Sequence, residues 1–256
     1  MAKVKETAEV SSQEQLLKDV FSMWIHSPRI VSQAHGGQFI SVYSGDGSRL
    51  LPRPVSICEL DREKGDLRIV YRIAGAGTRE FSSCKKGDPI DILGPLGNGF
   101  PQFPAEKKVF LIGGGIGIPP MLQMARELSC EKTAVLGYRD QLFLEKEFAP
   151  YAKVYVATED GSAGTRGNVL DAVRENRLSA DVILACGPLP MLRALKAYAL
   201  ENHMECYLSL EEKMACGVGA CLACVCRSAD VDAHSHVRNK RICKDGPVFR
   251  AEEVEL

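Results

Sequence analysis

Three textures along 256 residues predict a multi-domain β plus α/β chain: an antiparallel barrel, a parallel-sheet domain, and a small cysteine-rich lobe. Short apolar–polar alternations broken by Gly, Pro and Asp fill the region from about Lys18 to Pro104. A repeating strand-then-helix rhythm follows from about Ala105 to Leu208, and six of the ten cysteines crowd the C-terminal end. These changes set the expected domains at 1–104, 105–208 and 209–256.

In the first unit the alternating runs are 38–43, 55–60, 67–73 and 89–93. Period-two alternation with turn residues every ten or so positions is the pattern of a small antiparallel barrel. In the second unit the apolar strands are 108–112, 133–136, 153–156 and 181–184, with helical stretches at 119–128, 142–148, 168–175 and 191–203. Apolar runs alternating with amphipathic helices predict a parallel sheet with helices on both faces. The last 48 residues are too short and polar for a core of their own, so they read as a lobe stapled by a cofactor.

Composition narrows the function classes. With 32 basic and 33 acidic residues the net charge is −1, and no basic run is concentrated enough to make nucleic acid the main partner. The first 20 residues lack the apolar core of a signal peptide, and no stretch of about 20 apolar residues exists to span a bilayer. A cytoplasmic location without membrane contact is the expectation, and clustered cysteines in a reducing compartment point to metal ligation rather than disulfides.

Three motifs carry chemistry. The first is Cys216-x4-Cys221-x2-Cys224, with Cys243 further on. Three thiolates in a tight loop plus one from a distant segment can wrap a [2Fe–2S] rhomb, and the spacing is that of plant-type ferredoxins. Gly217, Gly219 and Ala220 remove side-chain bulk, so backbone N–H groups can approach the sulfurs. Structural zinc is the competing reading, but its usual sets pair two C-x2-C units and only one occurs here. Cys226 falls outside the pattern, and His234 and His236 read as solvent-exposed loop residues.

The second motif is the turn Gly113, Gly114, Gly115, Ile116, Gly117 between a buried strand and a helix that starts with proline. Such a turn lets backbone amides and a helix N-terminus meet a pyrophosphate. It departs from the strict G-x-G-x-x-G form, and no acidic residue follows at the usual ribose position. At the end of the fourth strand, Cys186, Gly187 and Pro188 open another helix at the same sheet edge, so the two loops should converge. The alternative for Cys186 is a small core residue.

The third motif is in the barrel. Arg53-Pro54-Val55-Ser56 leads into a strand, and Gly75-Ala76-Gly77-Thr78 follows another. Together they offer a guanidinium, amides and hydroxyls able to hold a flavin diphosphate and ring edge, although Pro and Gly are also what barrel turns require.

In this order the motifs resemble the ferredoxin–NADP reductase superfamily: an antiparallel flavin-binding β-barrel, a Rossmann-like nucleotide domain, and here an added iron–sulfur lobe. With the cluster segment Glu211 to Cys224 and the closing Cys243 to Pro247, the chain is similar to the electron-transfer subunits of type B dihydroorotate dehydrogenases. The resemblance runs from about Phe39 to Phe249. It implies FAD at Arg53, Pro54, Val55 and Ser56, at Val70, Tyr71 and Arg72, and at Gly77 and Thr78. It implies NAD(H) at Gly113, Gly114, Gly115 and Gly117 and at Cys186, Gly187 and Pro188, and the cluster on Cys216, Cys221, Cys224 and Cys243. Two departures fall in turns: Gly36-Gly37-Gln38-Phe39 stands where P-G-Q-F is common, and Pro52 where a basic residue is common.

The resemblance further implies a partner, an FMN-containing catalytic subunit that oxidises dihydroorotate, in a heterotetramer with two of each chain. Electrons would pass through FMN, cluster and FAD to NAD+, serving pyrimidine biosynthesis. No Ser/His/Asp or paired-carboxylate constellation appears here for a substrate base, so catalytic residues for dihydroorotate are expected on the partner. The alternatives are a sister subunit, of sulfide dehydrogenase or NADPH–ferredoxin oxidoreductase type, with Arg139 a candidate for a 2′-phosphate, and a zinc-binding scaffold.

Overall fold

The computed structural model describes residues 3–231 and 236–256; His234 lies outside them. The barrel comprises β1 (Val4–Leu17), β2 (Val20–His26), β3 (Phe39–Val42), β4 (Arg53–Asp61), β5 (Asp66–Arg72) and β6 (Pro89–Leu96). It closes in the order β1-β2-β5-β4-β3-β6, with α1 (Pro28–Val31) and α2 (Ala76–Phe81) in its connections. All its pairs are antiparallel, as the alternation predicts. It begins earlier than the alternation suggests. In β1, Val4, Ala8 and Val10 fill the barrel while Lys5, Glu9 and their neighbours face out. Lys, Glu and Gln are poor strand formers, and closure of the barrel overrides that preference.

The second sheet contains β7 (Lys108–Gly114), β8 (Glu131–Tyr138), β9 (Lys153–Thr158), β10 (Thr165–Arg166), β11 (Val182–Cys186) and β12 (Glu205–Ser209). Its helices are α3 (Pro119–Glu127), α4 (Glu145–Phe148), α5 (Val169–Glu175) and α6 (Leu189–Glu201). Side chains of β7 alternate between two cores. Val109 and Leu111 join Met121, Leu122 and Phe148 on one face, whereas Phe110 and Ile112 join Val169, Leu192 and Leu195 on the other. Helices therefore cover both faces. Of the predicted helix 142–148 only the last four residues form, because Leu144 takes a positive φ of 64° and the Tyr138 hydroxyl donates to the Phe143 carbonyl.

The C-terminal segment contributes β13 (Val225–Arg227), β14 (Asn239–Arg241), α7 (Ile242–Asp245) and β15 (Val248–Arg250). β15 pairs antiparallel with β12, completing a seven-stranded sheet β10-β9-β8-β7-β11-β12-β15. Met214, Cys224, Ile242 and Phe249 share a core with Phe39 and Leu96 of the barrel and Ile112 of the sheet. The lobe thus borrows a core from both larger units. Asn98, in the turn after β6, fastens it there: its side chain accepts from Val248 N (3.1 Å) and donates to Val248 O (2.8 Å). Asn98→Ala should cost about 1–2 kcal/mol through these lost bonds and speed iron loss to a chelator, measured against the unsubstituted chain.

Polar contacts lock the barrel to α3 and α4. Arg68, only 4% exposed, donates to Ser22 Oγ (2.8 Å) and Glu147 (2.5 Å), and it also pairs with Glu59. Glu59 in turn pairs with Arg126, and Leu60 N donates to Gln123 Oε1 (2.8 Å). Arg68→Met should destabilise the chain by about 2 kcal/mol, below the figure for a fully buried pair because Glu147 is partly solvated; equilibrium denaturation measures it. Among the described residues no helix is long and apolar enough to cross a membrane.

Candidate functional site

Strand β7 lies between β8 on one side and β11 on the other, so the connections run in opposite directions from it. Ligands of open α/β sheets bind beyond the carboxyl ends of strands at such a switch point. Here those ends carry the two glycine turns, and Cys186 pairs in register with Gly113. A Cβ on Gly117 would strike the Cys186 carbonyl and stand 2.6 Å from Gly187 N. One on Gly187 would stand 3.1 Å from Gly114 N, and one on Gly114 would meet Met191 Sδ at 2.6 Å and the Pro188 ring at 3.0 Å. Gly113 packs tightly on Ile118, whereas Gly115, with φ +53°, faces open space. The structure therefore brings Gly113, Gly114, Gly115, Gly117, Cys186, Gly187 and Pro188 together at one sheet edge. Cys186 is fully buried, and burial pushes its thiol well above the usual range. Glu211 lies within electrostatic reach of that thiol, and burial raises its carboxyl too, although solvent reaches its outer surface.

The barrel segments meet differently. β5 pairs with β4 only from Ile57 onward, and its Val70, Tyr71 and Arg72 pair with β2 alone. Arg53–Ser56 and Val70–Arg72 therefore face one another with unpaired edges, leaving a gap between splayed strands. Buried backbone groups need partners, so these edges are the place for a planar group with hydrogen-bonding edges. Arg53 to Ser56 are half-buried along the gap. At its end Gly77 packs on Arg53, where a Cβ would stand 2.9 Å from Nε. Thr78 Oγ1 accepts from Ala74 N (2.9 Å) and Gly75 N (3.2 Å), fixing the turn into α2. Not every predicted side chain faces the gap. Val70 packs among Val20, Cys58 and Met121, while Tyr71 stacks on Phe21 and donates to Gln13 Oε1 (2.9 Å), so both offer backbone only. Arg72 is exposed and pairs with Asp19 (3.3 Å).

The four cysteines gather in the lobe. Cys216 Sγ accepts from Val218 N (3.4 Å) and Ala220 N (3.3 Å), Cys243 Sγ from Gly219 N (3.1 Å), and Cys224 Sγ from Cys243 N (3.4 Å). Arg241 donates to Gly219 O (3.3 Å) and is braced by Asp245 (3.0 Å), which fixes the peptide plane whose other end is the Ala220 N–H aimed at Cys216 Sγ. The thiols associate in pairs, Cys216 with Cys221 and Cys224 with Cys243. Two thiol pairs ringed by N–H donors fit a two-iron cluster, with two thiolates per iron. Burial disfavours charge on Cys216, yet N–H donors of Val218, Cys221 and Ala220 outweigh it and bring the thiol down to about 6. Burial and the adjoining Cys224 push Cys243 the other way. Cys226 stands apart as a half-buried thiol held above the usual range by burial, and His236 is exposed.

Comparison with known proteins follows the same division. Residues 111–197 match the oxidoreductase NAD-binding domain. Residues 211–255, which hold all four cysteines, match the iron–sulfur cluster binding domain of dihydroorotate dehydrogenase B. The dihydroorotate dehydrogenase B (NAD+) electron transfer subunit of Geobacillus kaustophilus is 42% identical over 260 residues, covering 98% of this chain and 99% of that protein. Its counterpart from Listeria monocytogenes is 44% identical over 255 residues, covering 97% and 98%. The chain belongs to the dihydroorotate dehydrogenase B electron transfer subunit family. Among solved structures, the NADH-dependent reduced ferredoxin-NADP oxidoreductase aligns with TM-score 0.87 and 32% identity, over 98% of this chain and 90% of that one. A ferredoxin reductase of carbazole 1,9a-dioxygenase shares the fold at TM-score 0.68, over 80% of this chain and 67% of that one, with 20% identity. The predicted barrel and parallel-sheet architecture is thereby that of this oxidoreductase family.

Three features of the site depend on contacts that the sequence alone does not report. The splayed gap depends on which residues of β4 and β5 fail to pair, and no composition rule reports that. Glu211 looked like part of the cysteine segment. Asn98 stands between Gly97 and Gly99 in a turn, and nothing in that local sequence shows its bonds to the distant Val248.

Proposed function

We infer that the chain is the electron-transfer subunit of an NAD-dependent dihydroorotate dehydrogenase, carrying electrons between a catalytic partner and NAD(H). The spatial order of the three sites supports the reading most. The glycine turn at 115–117 packs against β5, which borders the splayed gap, and the cysteine loop lies over β3 on the far side of β4. The sites for nicotinamide, flavin and cluster are therefore consecutive across adjoining strands. When bound, a flavin accepts hydride equivalents from nicotinamide and exchanges electrons singly, as a two-iron cluster requires.

In this reading residues 1–104, 105–208 and 209–256 serve as flavin, nucleotide and cluster units. Backbone groups of Arg53–Ser56 and Val70–Arg72 hold the FAD ring, and Arg53, Gly77 and Thr78 its diphosphate. The Gly113–Gly117 and Cys186–Pro188 turns hold NAD(H), and Cys216, Cys221, Cys224 and Cys243 hold the cluster. The buried Cys186 excludes water from the nicotinamide end. The partner is an FMN-containing subunit that oxidises dihydroorotate, two of each chain assembling in the cytoplasm. Mixing the loaded chain with that subunit should give dihydroorotate-dependent reduction of NAD+. Absence of this activity in a tight, fully loaded complex would overturn the assignment.

The likeness to the NADH-dependent ferredoxin-NADP oxidoreductase over nearly the whole chain favours one second reading, a subunit of that reductase type. Reduced ferredoxin in place of dihydroorotate would then drive NAD+ reduction.

A further inference from the structure

Ser41 occupies the middle of β3. Successive residues of a strand face opposite sides. Ile40 and Val42 enter the barrel core, so Ser41 faces outward, beneath the cysteine loop. It is 0% exposed, and a Cβ on Gly217 would stand 2.9 Å from its Oγ. Alone among buried side-chain nitrogen and oxygen atoms of the described residues, Ser41 Oγ has no hydrogen-bond partner. A buried hydroxyl left unpaired is costly, and an alanine would fill the strand without that cost. The hydroxyl therefore points to an acceptor that the folded chain does not itself supply.

Its surroundings identify the acceptor. Gly217 directly follows Cys216, and the N–H groups of Val218, Gly219 and Ala220 in the same loop already aim at the Cys216 and Cys243 sulfurs. The flavin gap is excluded, because β4 stands between it and β3. We propose that the Ser41 hydroxyl donates a hydrogen bond to the sulfur of the cluster bound by the Cys216 loop. Ser41 is thus a positioning residue supplied by the barrel wall. Gly217 is the residue whose missing side chain admits that hydroxyl. Reduction adds negative charge to the sulfurs, so a donor stabilises the reduced form more and raises the reduction potential.

The inference rests on the cluster assignment above. Its test is an EPR-monitored redox titration of the full chain loaded with flavin, iron and sulfide, comparing the unsubstituted protein, Ser41→Ala and Ser41→Thr. Ser41→Ala should lower the cluster potential and shift its EPR g-values, leaving iron content and the flavin potential unchanged, while Ser41→Thr stays close to the unsubstituted protein. A fully loaded Ser41→Ala protein with an unmoved cluster potential would overturn the proposal, as would a shift confined to the flavin. If Ser41→Ala fails to load, the Ser41→Thr and Ser41→Val pair, alike in shape and differing in the hydroxyl, decides between the same outcomes. A failed cluster assignment is distinguishable, since the unsubstituted chain itself would then hold no iron or sulfide.

Discussion

Cys243→Ser should abolish the cluster while leaving nicotinamide chemistry intact. Cys243 is the one proposed ligand outside the 216–224 loop, and α7, braced by Asp245 and Arg241, carries it to that loop. Its sulfur takes the 3.1 Å bond from Gly219 N, and its own N–H donates to Cys224 Sγ at 3.4 Å. Substituting it therefore removes a ligand and the sulfur that accepts from Gly219 N in the cysteine loop. Changes to groups that merely support metal ligands cost about 10–100-fold in affinity, so losing this ligand should cost at least about 100-fold. Iron and acid-labile sulfide should fall to background, and electron exchange with the partner should stop. Reduction of the flavin by NADH, which uses the β5 side of the gap rather than β3, should persist. Iron retention at two per chain would remove Cys243 from the ligand set.

Gly117→Ala should have the next largest effect, on the nicotinamide side. The added methyl would collide with the Cys186 carbonyl and stand 2.6 Å from Gly187 N, both backbone atoms held in the sheet by pairing of Cys186 with Gly113 and Ser209. No flexible side chain can yield, so the two turns must separate. Overpacking of this kind costs about 1–3 kcal/mol in stability. A displacement near 1 Å between reacting groups can slow a reaction about 100-fold. Stopped-flow reduction of the flavin by NADH should slow by about that factor, with cluster content unchanged. A rate within twofold of the unsubstituted chain would show that the convergence of the two turns does not position nicotinamide.

How far the sequence reveals this site depends on whether an interaction is local. The cysteine spacing 216–221–224 places three thiols in one loop whatever surrounds it, and the glycine turn at 113–117 follows from strand, turn and helix in immediate succession. Contacts between distant segments left weaker traces. β1 is rich in Lys, Glu and Gln, and its 14 residues become strand because β2 and β6 flank them. β15 has only three residues, and it joins the second sheet through its pairing with β12. Resemblance pointed to Val70 and Tyr71, but their side chains turned out to be core and stacking groups, with backbone alone facing the gap. The orphan hydroxyl of Ser41 needed the cysteine loop folded over β3 before it could be noticed.

In the proposed reading one chain joins a nicotinamide site, a flavin site and a two-iron site in that order. Anaerobic visible spectroscopy of the purified chain, followed by NADH addition, tests it most directly. The expected spectrum has flavin bands with broad iron–sulfur shoulders, both bleached by NADH, and more slowly by NADPH. A colourless protein holding a single zinc ion, or flavin bands that NADH leaves untouched, would contradict it.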